Sequence, residues 1–128
     1  INLEVKRAKE NNYDDVIFLD YKNQVTECST SNIFSIKGDK VYTPAVNGLF
    51  LDGITRQKLI EMMLAEKISI SEVSIDFNDF LKSDEIFICN SVKGIRSVGK
   101  VQEKVFNLNN ITREIDYLFQ DFIRKNCE

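Results

Sequence analysis

A chain of 128 residues can close one hydrophobic core, and 43% hydrophobic with 29% charged residues is the balance of a globular domain, not of a disordered segment. The formal charge of −3 gives nucleic acid no electrostatic footing, and no apolar run approaches the roughly 18 residues of a membrane span. Histidine is absent, which excludes Ser-His-Asp and Cys-His mechanisms and histidine-ligated metals within the chain, so any chemistry must come from lysine, carboxylates, hydroxyls, backbone amides or a cofactor.

Asn2 to Asn12 reads as the tail of a helix, with Leu3, Val5 and Ala8 apolar and the remainder mostly charged. Val16–Leu19 reads as a short buried strand, Tyr21–Gln24 as a hairpin turn, and Val25–Glu27 as the returning strand. Ile33–Ile36 is the next strand. Gly38-Asp39 turns it into Lys40–Thr43, which Pro44 ends. A loop over 45–52 leads into a helix over Ile54–Glu66, with Leu59, Ile60, Met63 and Leu64 at helical spacing. Ile68–Ile75 alternates like a strand, with one slip that suggests a bulge. Asp76–Lys82 makes one or two helical turns, Glu85–Cys89 a buried strand, and Ile95–Val98 another, followed by a short polar excursion. The last helix starts at Asn110, a suitable N-cap, and carries Ile111, Ile115, Leu118, Phe119, Phe122 and Ile123 as an apolar stripe. The intermixing of strands and helices predicts one α/β domain over residues 1–128, a mixed sheet with packed helices.

Cys28, Cys89 and Cys127 are odd in number and fit neither CxxC nor zinc spacing, which suggests a reduced cytoplasmic protein and no metal. Cys89 and the Met62-Met63 pair read as core packing, and Lys6, Arg7 and Lys9 as a solvated helix face.

Three segments stand out from plain scaffold. In Glu27–Phe34 a carboxylate at a strand end is followed by Cys28 and then by small polar residues, whose backbone can approach a ligand closely; a solvated Ser/Thr-rich connection fits the same residues. In Leu51–Arg56 a glycine runs into a helix start, where free amides bind anions; a helix simply capped by Asp52 or Gly53 fits as well. In Phe87–Ile95 a buried strand stops at Asn90-Ser91, where open sheets gather their ligands, or where an ordinary turn begins.

Taken in order, these segments resemble the class IV pyridoxal-phosphate aminotransferases, which include branched-chain aminotransferase, D-amino acid aminotransferase and aminodeoxychorismate lyase. The shared pattern is Glu-x-x-x-Ser-Asn-Ile-Phe at Glu27–Phe34, Thr43-Pro44, Leu-x-Gly-Ile-Thr-Arg at Leu51–Arg56, and Asp-Glu-x-Phe at Asp84–Phe87. The third segment, with Cys89-Asn90-Ser91 and then Ile95 and Val98, is similar to the lyase pattern. The resemblance implies the C-terminal, cofactor-binding domain of the D-amino acid aminotransferase-like fold, with pyridoxal 5'-phosphate as cofactor, a small-molecule substrate and a homodimer. It implies that Glu27 pairs with the ring nitrogen, Leu51 packs on a ring face, Gly53, Ile54 and Thr55 hold the phosphate, and Asn90 and Ser91 form a second loop beside it. The activity it implies is conversion of 4-amino-4-deoxychorismate to 4-aminobenzoate and pyruvate, a step toward folate. Branched-chain or D-amino acid transamination, or a catalytically dead binding domain, are the alternatives. The family's Schiff-base lysine, and a phosphate-binding arginine of its N-terminal domain, would lie upstream of Ile1; no catalytic residue is expected in this chain, which alone should be inactive.

Overall fold

The computed structural model describes residues 14–45 and 53–126. The helix expected over 2–12, and most of the loop with Leu51 and Asp52, lie outside the described residues. The elements are β1 (Ile17–Leu19), β2 (Val25–Cys28), β3 (Asn32–Lys37), β4 (Lys40–Pro44), α1 (Ile54–Ala65), β5 (Ser69–Val73), α2 (Phe77–Phe80), β6 (Glu85–Asn90), β7 (Gly94–Ser97), β8 (Lys100–Val101), β9 (Lys104–Val105) and α3 (Asn110–Asn126). Five strands form one mixed sheet in the order β5-β4-β3-β6-β7, while β1–β2 and β8–β9 are separate two-stranded ribbons. Only β4 and β5 pair in parallel within the main sheet, and α1 is the crossover that a parallel pair needs.

The central strands β3 and β6 are buried almost without alternation because both sheet faces are covered. On one face Phe34, Ile36, Val41, Phe87, Cys89 and Ile95 pack with Leu59, Met62 and Met63 of α1 and with Ile115 and Phe119 of α3. On the other, Ile33, Ile86 and Ile88 pack with Val25, Cys28, Phe80, Val101 and Phe106. Phe34 and Phe87 are register partners, with rings stacked 4.8 Å apart.

The main elements fall where period and turn residues put them, with five differences. β1 is partly exposed, as one arm of a ribbon covered on one side only. Leu64 points to solvent, and Met62 takes the core position beside Leu59 and Met63. β5 runs without a bulge and stops at Val73; the slip in its pattern marks the chain leaving the sheet, since Ile68 and Ile70 pack on the α1 face and Ile75 in the opposite cluster. The polar excursion is the β8–β9 hairpin.

The fifth difference concerns the start of α3. Arg113 N–H donates to Asn109 O, so Asn109 is the N-cap residue and Asn110 the first helical one. The cap itself comes from buried Glu85. Its carboxylate accepts from Ile111 N at 3.1 Å and from Thr112 N and Oγ1 at 2.8 Å each. Its neighbour Asp84 accepts from Gly38 N at 2.7 Å, which holds its carboxyl below the usual range. Asp84-Glu85 is therefore scaffold: one carboxylate fixes the β3–β4 turn, the other fixes a helix to the sheet.

Candidate functional site

Glu27 owes its setting to a β-bulge. Ile17 pairs with Cys28 and Phe18 with Glu27, but Leu19 pairs with Val25, leaving Thr26 as an extra residue in β2. Residues three apart on a regular strand face opposite ways. The bulge lets Val25 and Cys28 bury in the same core cluster, and Glu27, next to Cys28, is turned away from it. Thr26 Oγ1 donates to Phe18 O and steadies the irregular ladder. Partial burial pushes the Glu27 carboxyl above its ordinary value of 4.5, and among the described residues no cation or donor pairs with it. A cationic group brought against Glu27 would relieve that cost. Both Cys28 and Cys89 are buried, with their thiols pushed up to about 12, mainly by burial, so neither is a nucleophile.

The polar run after Glu27 is a braced corner. Cys28 N–H donates to Ser31 O, and Asp15 accepts from the hydroxyl and amide of Ser29. Ser31 Oγ accepts from Asn90 Nδ2 at 3.0 Å, while Asn90 Oδ1 accepts from Val92 N and Lys93 N. Asn90 thus joins the first segment to the third and shapes the turn that leaves Ser91 exposed. Asn32 joins the first segment to the second, because a Cβ on Gly53 would stand 2.5 Å from Asn32 Oδ1. Among the described residues, what comes up against Gly53 is this carboxamide, so glycine there is a packing requirement.

Gly53 is also the N-cap of α1, with extended φ −70° and ψ 145° and no side-chain cap. Gln57 N–H is bonded to Gly53 O, so the amides of Ile54 and Thr55 precede the first intrahelical bond. No acidic side chain stands in that first turn. An uncapped helix start without its own carboxylate is a ready anion site. Ile54 is exposed and Thr55 partly so.

Thr43-Pro44 belongs to the same corner. The register that pairs Ser35 with Tyr42 sets Ile33 opposite Pro44, which has no N–H; Thr43 Oγ1 donates to Ile33 O instead, at 2.8 Å. Arg56, 2% exposed, donates to Pro44 O at 3.0 Å and pairs with Glu72 at 2.7 Å. Sequence reasoning assigned no role to Asp15, Asn32, Arg56 or Glu72. Arg56 and Asn32 stand inside the quoted motifs, but nothing in spacing pointed to Asp15 or Glu72.

Gly53, Ile54, Thr55, Asn90 and Ser91 therefore gather at one end of the sheet, where β4, β5 and β6 finish and β3 begins, with Glu27 on the strand feeding that end. Leu51 lies outside the described residues. A cleft of about 360 Å³ elsewhere, lined by Ser35, Lys37, Tyr42, Asp76 and Lys82 among others, contains none of these residues. Its polar groups are partly committed to scaffold: Lys37 donates to Lys82 O and pairs with Asp84, and Asp76 caps α2. Chemistry favours the sheet end, where Glu27, with no partner among the described residues, could meet a cation and the start of α1 an anion. Among the described residues no cluster could hold a metal ion, and no helix is long and apolar enough to cross a membrane.

The sequence profile of the amino-transferase class IV family matches residues 2–101. A mitochondrial branched-chain amino acid aminotransferase of Humulus lupulus is 35% identical over 99 residues, covering 76% of this chain and 25% of the relative. The aminodeoxychorismate lyase of Vibrio harveyi is 29% identical over 107 residues, covering 80% of this chain and 40% of that protein. A Legionella pneumophila structure assigned as a 4-amino-4-deoxychorismate lyase superposes with a TM-score of 0.90 at 31% identity, over 94% of this chain and 45% of its own. A Brucella abortus aminotransferase bound to pyridoxal phosphate superposes at 0.89 with 28% identity, over 94% of this chain and 43% of its own. The chain thus spans less than half the length of each of these proteins. With the profile matched over most of its length and the α/β mixed-sheet fold shared, this chain belongs to the class IV aminotransferase family.

Proposed function

We propose that the chain is the cofactor-binding part of a pyridoxal-phosphate-dependent aminodeoxychorismate lyase, which converts 4-amino-4-deoxychorismate to 4-aminobenzoate and pyruvate. The observation that carries the cofactor is the partly buried Glu27, without a partner among the described residues, feeding the same sheet end as the start of α1, whose described first turn holds no acid. When bound, pyridoxal phosphate supplies an electron sink for breaking bonds next to the substrate amino group. Glu27 holds the proton on the ring nitrogen, and that proton offsets the burial cost of the carboxylate. The amides of Ile54 and Thr55 and the Thr55 hydroxyl hold the phosphate, with Gly53 giving access and Asn90-Ser91 closing the other side. The anchoring lysine and the remaining substrate pocket come from a segment preceding Ile1, and the protein acts as a cytoplasmic homodimer.

The word lyase rests on Phe87–Ser91 and on the close superposition with the Legionella structure. A second reading, branched-chain transamination, draws on the 35% identity to the hop enzyme. The full-length protein, loaded with pyridoxal phosphate, should release 4-aminobenzoate and pyruvate from aminodeoxychorismate. Amino transfer to a 2-oxo acid without 4-aminobenzoate overturns the lyase in favour of the transaminase. Cofactor binding with neither product makes it a binding domain. Borohydride reduction and peptide mapping should place the cofactor label outside residues 1–128.

A further inference from the structure

We propose that Arg56 and Glu72 form a clamp that positions the first turn of α1 for a bound phosphate; the proposal rests on the reading of that turn as the phosphate end of the site. Arg56 is the third residue of α1, so its side chain leaves from the turn that carries the free amides. A cation there opposes the helix dipole, which ordinarily favours acids at this end. A guanidinium only 2% exposed also needs an anion beside it. Glu72 meets both needs from outside the helix: it stands on the edge strand β5, half-exposed, and its Oε1 is 2.7 Å from Arg56. A carboxylate within the first turn would have competed with a phosphate for the Ile54 and Thr55 amides. Placing it on β5 balances the arginine and leaves those amides to the ligand.

The same guanidinium nitrogen donates to Pro44 O, on the last residue of β4. One side chain therefore ties together all three members of the β4–α1–β5 unit, at the sheet end where β4 and β5 finish. Thr43 braces β4 to β3 immediately beside it. The orientation of the first turn relative to that sheet end follows from the clamp. Lysine does not reproduce it, because its ammonium turns freely on a flexible stem, whereas the two N–H bonds of one planar guanidinium nitrogen have fixed directions.

The test uses the full-length protein with Glu72→Ala, Glu72→Gln and Arg56→Lys. Pyridoxal phosphate affinity is read by fluorescence titration, exchange of the Ile54 and Thr55 amides in the cofactor-loaded protein by hydrogen–deuterium exchange, and thermal melting in parallel. Glu72→Ala should weaken cofactor binding about tenfold, the scale of one lost hydrogen bond to a charged group, and speed exchange in the first turn. Glu72→Gln keeps the acceptor oxygen but removes the anion, and should weaken binding less than Glu72→Ala without matching the parent. Arg56→Lys should fall between them, and it carries the test if Glu72→Ala does not fold. Variants that melt earlier yet bind the cofactor as tightly as the parent overturn the clamp, since a purely structural pair would behave that way. A parent that binds no pyridoxal phosphate overturns the site reading, and the clamp with it.

Discussion

Gly53→Ala isolates one contact of the site corner. The Gly53 backbone, at φ −70° and ψ 145°, is open to any L-residue, so the substitution brings no dihedral strain. Its cost comes from the new methyl, which would stand 2.5 Å from Asn32 Oδ1 and 3.6 Å from its Cγ. That is about 0.8 Å inside ordinary carbon–oxygen contact. Asn32 is 9% exposed and begins β3 in register with Cys89, so its backbone cannot retreat. Relief requires the Asn32 carboxamide to turn or the helix start to shift, at about 1–3 kcal/mol for overpacking. Alanine is also the poorer N-cap, by a few tenths to about 1 kcal/mol. We expect a loss of about 2 kcal/mol in urea unfolding, or about 8 °C in melting temperature. In an Asn32→Ala background the oxygen is gone and the same change should cost only the capping part, a coupling of about 1.5 kcal/mol. Costs that add to within about 0.5 kcal/mol would show that Asn32 is not what makes Gly53 necessary.

Glu85→Ala strips two amides and a hydroxyl of their acceptor at a buried helix start and should cost about 3 kcal/mol or more by urea titration, with Glu85→Gln losing less because one oxygen remains; equal losses would argue against capping as the cause. Glu27→Gln should stabilise the cofactor-free protein at neutral pH. Burial raises the Glu27 pKa in the folded chain, so the folded state binds more protons and stability falls as pH rises past about 4.5. The gain should vanish below about pH 4, where both states are protonated, and a melting-temperature difference that persists there would refute the assignment.

Strands β3 and β6 and the two long helices were legible because their burial follows a simple pattern: continuous apolar runs where both faces are covered, and a helical stripe where one is. The α1 assignment survived because Leu59 and Met63, four apart, do face the core; the difference is Met62, buried where Leu64 was expected. The β8–β9 hairpin was hidden by its size: two residues a side around Gln102, which adopts a φ of 52° with no glycine to announce it. The cap of α3 was hidden by distance, since Glu85 comes from 26 residues upstream and local reasoning could offer only Asn110. At the site, Glu27, Gly53 and Asn90 could be named from residue type and order. The contacts that hold them, Asp15 with Ser29, Asn32 with Gly53 and Arg56 with Glu72, join positions 14 to 21 apart, and only the fold brings those together.

The bulge in β2 has a consequence for how the chain tolerates change. Substituting Thr26 alters one hydroxyl and leaves Glu27 where it is. Deleting Thr26 would restore a regular ribbon and invert the parity of every side chain on one side of the gap. Either Val25 would leave the core, or Glu27 would exchange its outlook with Cys28 and present a thiol where the carboxylate stood. Length, more than identity, is the inherited property at this position: a one-codon loss would turn the Glu27 carboxylate away without changing a single functional residue.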